Sequence, residues 1–106
     1  MTLSELAAML ETVMPNKVVY CAWQEGNAPA LPFICYLERR SNNFAADGIA
    51  YHRIKRIDVE LYTDNKEPAT EKSLEDAFDA AGIYWESSED YIEDEKMYLK
   101  TYEIEV

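Results

Sequence analysis

The 106-residue chain reads as an α+β domain in the order α-β-β-β-α-β-β, with two helices packed on one mainly antiparallel sheet. Three observations predict this. Two segments, near residues 2–14 and 68–81, repeat apolar residues at steps of three and four, the spacing of one helix face. The segments between and after them are rich in β-branched and aromatic residues, and their clearest stretches alternate apolar with polar residues. Only three Gly and four Pro are present, and they fall at breaks between these segments. No linker divides the chain, so residues 1–106 form one domain.

The first helix opens on Thr2 and Glu5, which have the spacing of a capping box. Leu3, Leu6, Ala7, Leu10, Val13 and Met14 form its apolar stripe, and Pro15 and Asn16 stop it. Residues 18–23 read as a strand and 24–32 as a loop whose two prolines cannot donate ladder hydrogen bonds. In the second strand, 33–39, Phe33, Cys35 and Leu37 face one way and Ile34 and Tyr36 the other. Residues 41–48 read as a turn or an extended hairpin tip, since Asn, Asp and Gly tolerate left-handed backbone.

Residues 49–63 are long for one strand. Val59 and Leu61 alternate with Glu60 and Tyr62, but Ile54 and Ile57 have opposite parity, which predicts a β-bulge near Lys55 and Arg56. Pro68 suits the first position of the second helix. Leu74, Ala77, Phe78 and Ala81 form its stripe, Glu71, Lys72, Glu75, Asp76 and Asp79 its wet side, and Gly82 its C′ residue. Residues 83–91 and 96–106 then read as two strands joined at 93–95.

Charge is the strongest compositional signal: ten Lys and Arg against 21 Asp and Glu, a net −11. This opposes autonomous binding to nucleic acid or to an anionic membrane. The distribution is uneven. Between Glu38 and Arg56 five basic residues (Arg39, Arg40, Arg53, Lys55, Arg56) stand against two acids. Between Glu86 and Glu95 six of ten residues are acidic: Glu86, Glu89, Asp90, Glu93, Asp94 and Glu95. Such an acidic end and basic band suit head-to-tail contact in an oligomer, although the plainer reading is a solvated acidic surface that keeps the protein soluble.

Chemistry is hard to assemble from these residues. His52 is the single histidine, so any Ser/His or Cys/His pair must pass through it. There is no phosphate loop, no GxGxxG, no HExxH, and no calcium-loop pattern with its central glycine. Cys21 and Cys35 do not form a CxxC and are expected to be buried and reduced, with no metal or cofactor. Aromatic residues interleave with Arg between Tyr36 and Tyr62, but the net charge opposes stacking on single-stranded nucleic acid. No apolar run spans a bilayer, and no secretory leader is apparent. The expectation is a soluble, unexported domain that is not an enzyme.

At SNNFAADGIAYHRIKRIDVELYTDNKEP, together with SLEDAFDAAGIYWESSEDYIEDEKMYLKTYEIEV, the sequence resembles small proteins encoded among the head and tail morphogenesis genes of siphophages and prophages of Gram-positive bacteria. In particular it is similar to the tail terminator (tail completion) group, whose members share the element order above. The most recognisable pieces are 41–47, 58–63, 80–84 and 91–98, none of them a catalytic signature. The resemblance covers nearly the whole chain. It implies a structural protein of the virion, assembled in the host cytoplasm: a homo-oligomeric ring, usually hexameric, at the head-proximal end of the tail tube. Its implied partners are further copies of itself, the major tail tube protein and the head-completion or neck proteins. The ring would stop tube growth and present the head-docking surface.

On that reading the basic band of one subunit, Arg53, Lys55 and Arg56, meets the acidic hairpin of the next, Glu89, Asp90, Glu93 and Asp94. Phe44, apolar inside a polar tip, is a contact to a neighbour or to the tube, or else folds back on its own sheet. A head–tail joining or minor tail protein of the same gene cluster is the alternative. An acidic DNA-mimic inhibitor is a second.

Overall fold

In a computed structural model, residues 1–41, 43–46, 49–52 and 54–106 are described, with 44–46 and 49–52 described by backbone alone. Arg53 and the side chain of Phe44 therefore lie outside the described residues.

Helix α1 (Leu3–Val13) starts where its cap predicts. Thr2 Oγ1 accepts from the Glu5 N–H at 3.1 Å, and Glu5 Oε1 accepts from the Thr2 N–H at 3.0 Å. These two bonds satisfy donors that a helix start leaves unpaired, and the Thr2 backbone N–H, followed by the Thr2 side chain, holds the Glu5 carboxyl below its ordinary range. Helix α2 (Pro68–Ala80) begins with proline and ends in a Schellman turn. Gly82 there has φ +71°, its N–H donates to the Asp79 carbonyl, and the Ile83 N–H donates to that of Phe78.

Five strands form the main sheet in the order β1 (Val18–Tyr20), β2 (Phe33–Ser41), β5 (Lys55–Thr63), β7 (Met97–Glu105), β6 (Trp85–Ile92). The β1–β2 pair is parallel and the rest are antiparallel. Among the described residues two short strands, β3 (Phe44–Ala46) and β4 (Ile49–His52), pair only with each other. The α+β class and the two-helices-on-a-sheet layering hold.

Both helices cover one face. Leu6, Leu10, Leu74 and Phe78 meet Ile34, Ile57, Val59, Leu61, Tyr102 and Ile104 in one buried cluster. In register, Tyr36, Val59 and Tyr102 lie side by side across three strands, as do Ile34, Leu61 and Lys100. Phe78 packs on Tyr102 with ring centroids 5.6 Å apart, and Tyr102 on Trp85 at 5.5 Å.

Five expectations need correction. The first strand ends at Tyr20, because Cys21 takes φ +70°. Cys21 is exposed, and only Cys35 is buried. The stretch 49–63 is not one strand but β4 followed by β5, and the bulge lies opposite its predicted place. Glu38 pairs with Ile57 but Arg40 pairs with Arg56, so the extra residue is Arg39 on β2. Ile54, outside both strands, owes β5 no parity. Finally, Glu71 is buried rather than on the wet side of α2, because two lysines turn toward it.

Candidate assembly surfaces

The register fixes where the two charged regions lie. Lys55 and Arg56 begin β5, next to Glu105 and Val106 at the end of β7. Arg40 is paired with Arg56 at the same sheet end, and the β3–β4 hairpin leaves from there. The turn at 93–96 follows Ile92 and precedes Met97, one step beyond the Thr63–Tyr98 pair at the opposite end. At about 3.3 Å per strand residue the two regions are roughly 30 Å apart. That is several times the ~8–10 Å over which exposed charges feel each other in physiological salt. The molecule measures 49 × 28 × 23 Å, so its long dimension accommodates this separation.

Not all the predicted charges are available to a neighbour. The Arg56 guanidinium lies 2.6 Å from Glu103 and 3.5 Å from Glu105, and the bond to Glu103 raises its pKa further. Glu89 is held 2.6 Å from Lys66, which lowers its carboxyl below the usual range. Among the described residues, Lys55, Asp90, Glu93 and Asp94 make no ion pair. Of the four, Asp90, Glu93 and Asp94 are exposed and Lys55 is half-buried.

Sequence reading missed a charge cluster under the edge of α2. Lys66 Nζ sits 2.8 Å from Glu71 and Lys100 Nζ 3.4 Å from the same carboxylate. The Lys100–Glu89 register pair lies beside them, and the Tyr102 hydroxyl donates to Glu75 at 2.7 Å. Helical spacing put Glu71 among the solvent-facing acids. Only the register of β7, which brings Lys100 beneath α2, reveals its partner.

The face without helices grades from apolar to charged. Phe33 packs on Tyr62 at 5.1 Å and on Trp23 at 6.1 Å, the latter carried over this face by the loop 21–32. Burial, and then the negative charge of Glu60, pushes the Cys35 thiol up to about 11, so it is inert as a nucleophile at neutral pH. Arg39 Nε reaches Asp58 at 2.7 Å on the same face. A cleft of about 540 Å³ at the hairpin end is lined by Arg56, Tyr84, Glu86, Glu103 and Glu105, among others. Among the described residues no His, Cys, Ser or Lys lines it. Among the described residues, no three His, Cys, Asp or Glu side chains are grouped to hold a metal ion, and no helix is long and apolar enough to cross a membrane.

Glu60 gives a pH prediction. Burial raises its carboxyl above the ordinary range, and the Tyr62 hydroxyl, 3.3 Å away, only partly offsets this. Between the unfolded and the raised folded pKa the native state holds more protons, so this group's contribution to stability falls as pH rises through that window. Glu60→Gln is expected to raise the thermal midpoint at about pH 7 and to lose that advantage near pH 3, below the ordinary carboxylate range. Melting curves at the two pH values check this.

Compared with protein-family models, curated proteins and solved structures, the chain matches none.

Proposed function

We propose that this protein is a structural component of phage or prophage tail assembly. It acts as a tail terminator, forming a ring on the head-proximal end of the tail tube, stopping tube growth and offering the surface on which the head docks. The observation that carries the reading is that cations without an ion pair among the described residues, Lys55 and Arg40, lie at one end of the sheet, and such acids, Asp90, Glu93 and Asp94, toward the other. Lys55 and Arg40 at one end are too far from Asp90, Glu93 and Asp94 at the other to pair within a chain, and a second copy set head-to-tail brings them together. Repetition of one such contact closes a ring when its rotation closes. The two-layer α+β body and the hairpin leaving the basic end also suit the resemblance in 41–47 and 91–98.

Ion pairs at an interface rim contribute about 0–1 kcal/mol each, so they orient the contact while apolar area holds it. Arg56 already neutralises Glu103 and Glu105, so Arg56→Glu would disturb the fold together with any contact. Lys55→Glu isolates the interface. It is expected to weaken self-association, and Glu93→Lys with Asp94→Lys is expected to restore part of it in the same chain, as read by sedimentation. No restoration would sink the pairing.

The DNA-mimic alternative needs free acids spaced like phosphates. Glu71, Glu89, Glu103 and Glu105 instead have cationic partners within the chain. Electron microscopy of lysates from a phage or induced prophage lacking the gene tests the terminator reading directly. Overlong tails support it. Tails of normal length lying apart from filled heads make this a joining protein, and intact infectious particles remove it from virion assembly.

A further inference from the structure

We infer that the β3–β4 hairpin of one copy adds edge-to-edge onto β6 of the next, extending the neighbour's five-stranded sheet. The inference rests on the ring reading above and names the contact that would build the ring.

Among the described residues the sheet has two open margins, the three-residue β1 and the longer β6, and the separate hairpin has open edges of its own. β6 is an eight-residue strand at the margin of the sheet, bonded to β7 on one side, with residues 86–91 all exposed. Among the described residues nothing pairs with its other side, which therefore presents a row of free N–H and C=O groups, a template for another strand. The β3–β4 hairpin has the converse problem. It is a separate two-stranded sheet, and an isolated two-stranded ribbon is marginal in water. Among the described residues no strand of the main sheet pairs with it, and β1 runs beside β2 only to Tyr36. Within one chain, β7 lies between β5, at the hairpin's root, and β6.

Charge decides between the ways of filling these edges. β6 carries Glu86, Glu89 and Asp90. Two β6 edges meeting antiparallel would set these acids against one another, and like charges across a strand pair are destabilising. The hairpin's root instead carries Arg40 and Lys55, of opposite sign to β6. A hairpin-to-β6 contact is therefore favoured over β6-to-β6, and it is heterologous, as ring closure requires.

The test compares amide hydrogen exchange in the dilute and the concentrated full-length protein, with assembly followed by sedimentation. In an antiparallel ladder alternate residues point their N–H groups to one side. On assembly, every second amide across residues 86–91 is expected to exchange at least about tenfold more slowly, while amides already bonded to β7 change little. Replacing residues 44–52 by an Asn-Gly turn is expected to abolish assembly and leave protection in β5 and β7 intact. Should that variant fail to fold, Glu86→Lys with Asp90→Lys tests the same contact from the other side and is expected to weaken assembly. Three results overturn the inference: an assembled protein with unchanged β6 exchange, assembly of a folded hairpin-shortened chain, or a monomer at every concentration. Tail length in gene-deleted lysates is read separately. A monomeric chain whose loss still gives overlong tails overturns the edge pairing alone.

Discussion

Phe78→Ala is expected to destabilise the fold by about 3–5 kcal/mol, the range for removing a buried aromatic side chain. Phe78 is fully buried and lies where both helices meet the sheet, against the Tyr102 ring that also carries Trp85. Collapse into the resulting cavity is restricted. Tyr102 is fixed by its bond to Glu75 and by its place in the central ladder, and Trp85 Nε1 is held by Asp79 at 3.0 Å. Against a total stability of roughly 5–15 kcal/mol for a domain, this loss leaves a marginal protein. Urea unfolding measures it as a lower midpoint at an unchanged slope. A loss below ~1 kcal/mol would mean that α2 does not seat its ring on the sheet as described.

The second large effect belongs to Glu71, whose carboxylate is buried between Lys66 and Lys100. Glu71→Leu is expected to cost about 2 kcal/mol, less than the roughly 3–5 kcal/mol of breaking a fully buried pair. The reduction follows from Lys66, whose side chain is 44% exposed and keeps its 2.6 Å contact with Glu89. Lys100 is the costly partner, with a side chain only 19% exposed. Adding Lys100→Met removes the charge that Glu71→Leu strands, so the double variant is expected to recover most of the loss. If it is as unstable as the single variant, the defect lies in packing and not in the stranded ammonium.

These two residues also mark what the sequence made legible. Phe78 was identifiable by spacing alone, since Leu74, Ala77, Phe78 and Ala81 share a helical face and apolar faces turn inward. The same spacing misplaced Glu71, because it knows which side of a helix a residue occupies but not which strand lies below. That a buried acid could be satisfied there depends on Lys100, some thirty residues further on. The bulge shows a similar limit. Opposed parity at Ile54 and Ile57 pointed to a bulge near Lys55 and Arg56, but Ile54 lies outside both strands and carries no phase; the extra residue, Arg39 on β2, is visible only in the register. Cys21 was misread because an apolar neighbourhood suggested burial, while its positive φ turns the chain out of the strand at that point.

Among the assembly residues, the charge blocks were visible in composition. Their division into spoken-for and available members was not. Arg56 and Glu89 satisfy partners across strands that are distant in sequence, whereas Lys55, Asp90, Glu93 and Asp94 do not.

The hairpin is spliced into the tip of the β2–β5 ladder, so its two strands begin and end at adjacent points of the body. Closing a longer excursion between fixed ends costs free energy that grows only with the logarithm of its length, about 0.6 kcal/mol per doubling. Residues can therefore be gained or lost between Ser41 and Lys55 with little consequence for the core. The arm's reach is thus an evolutionary variable separable from the stability of the domain that carries it.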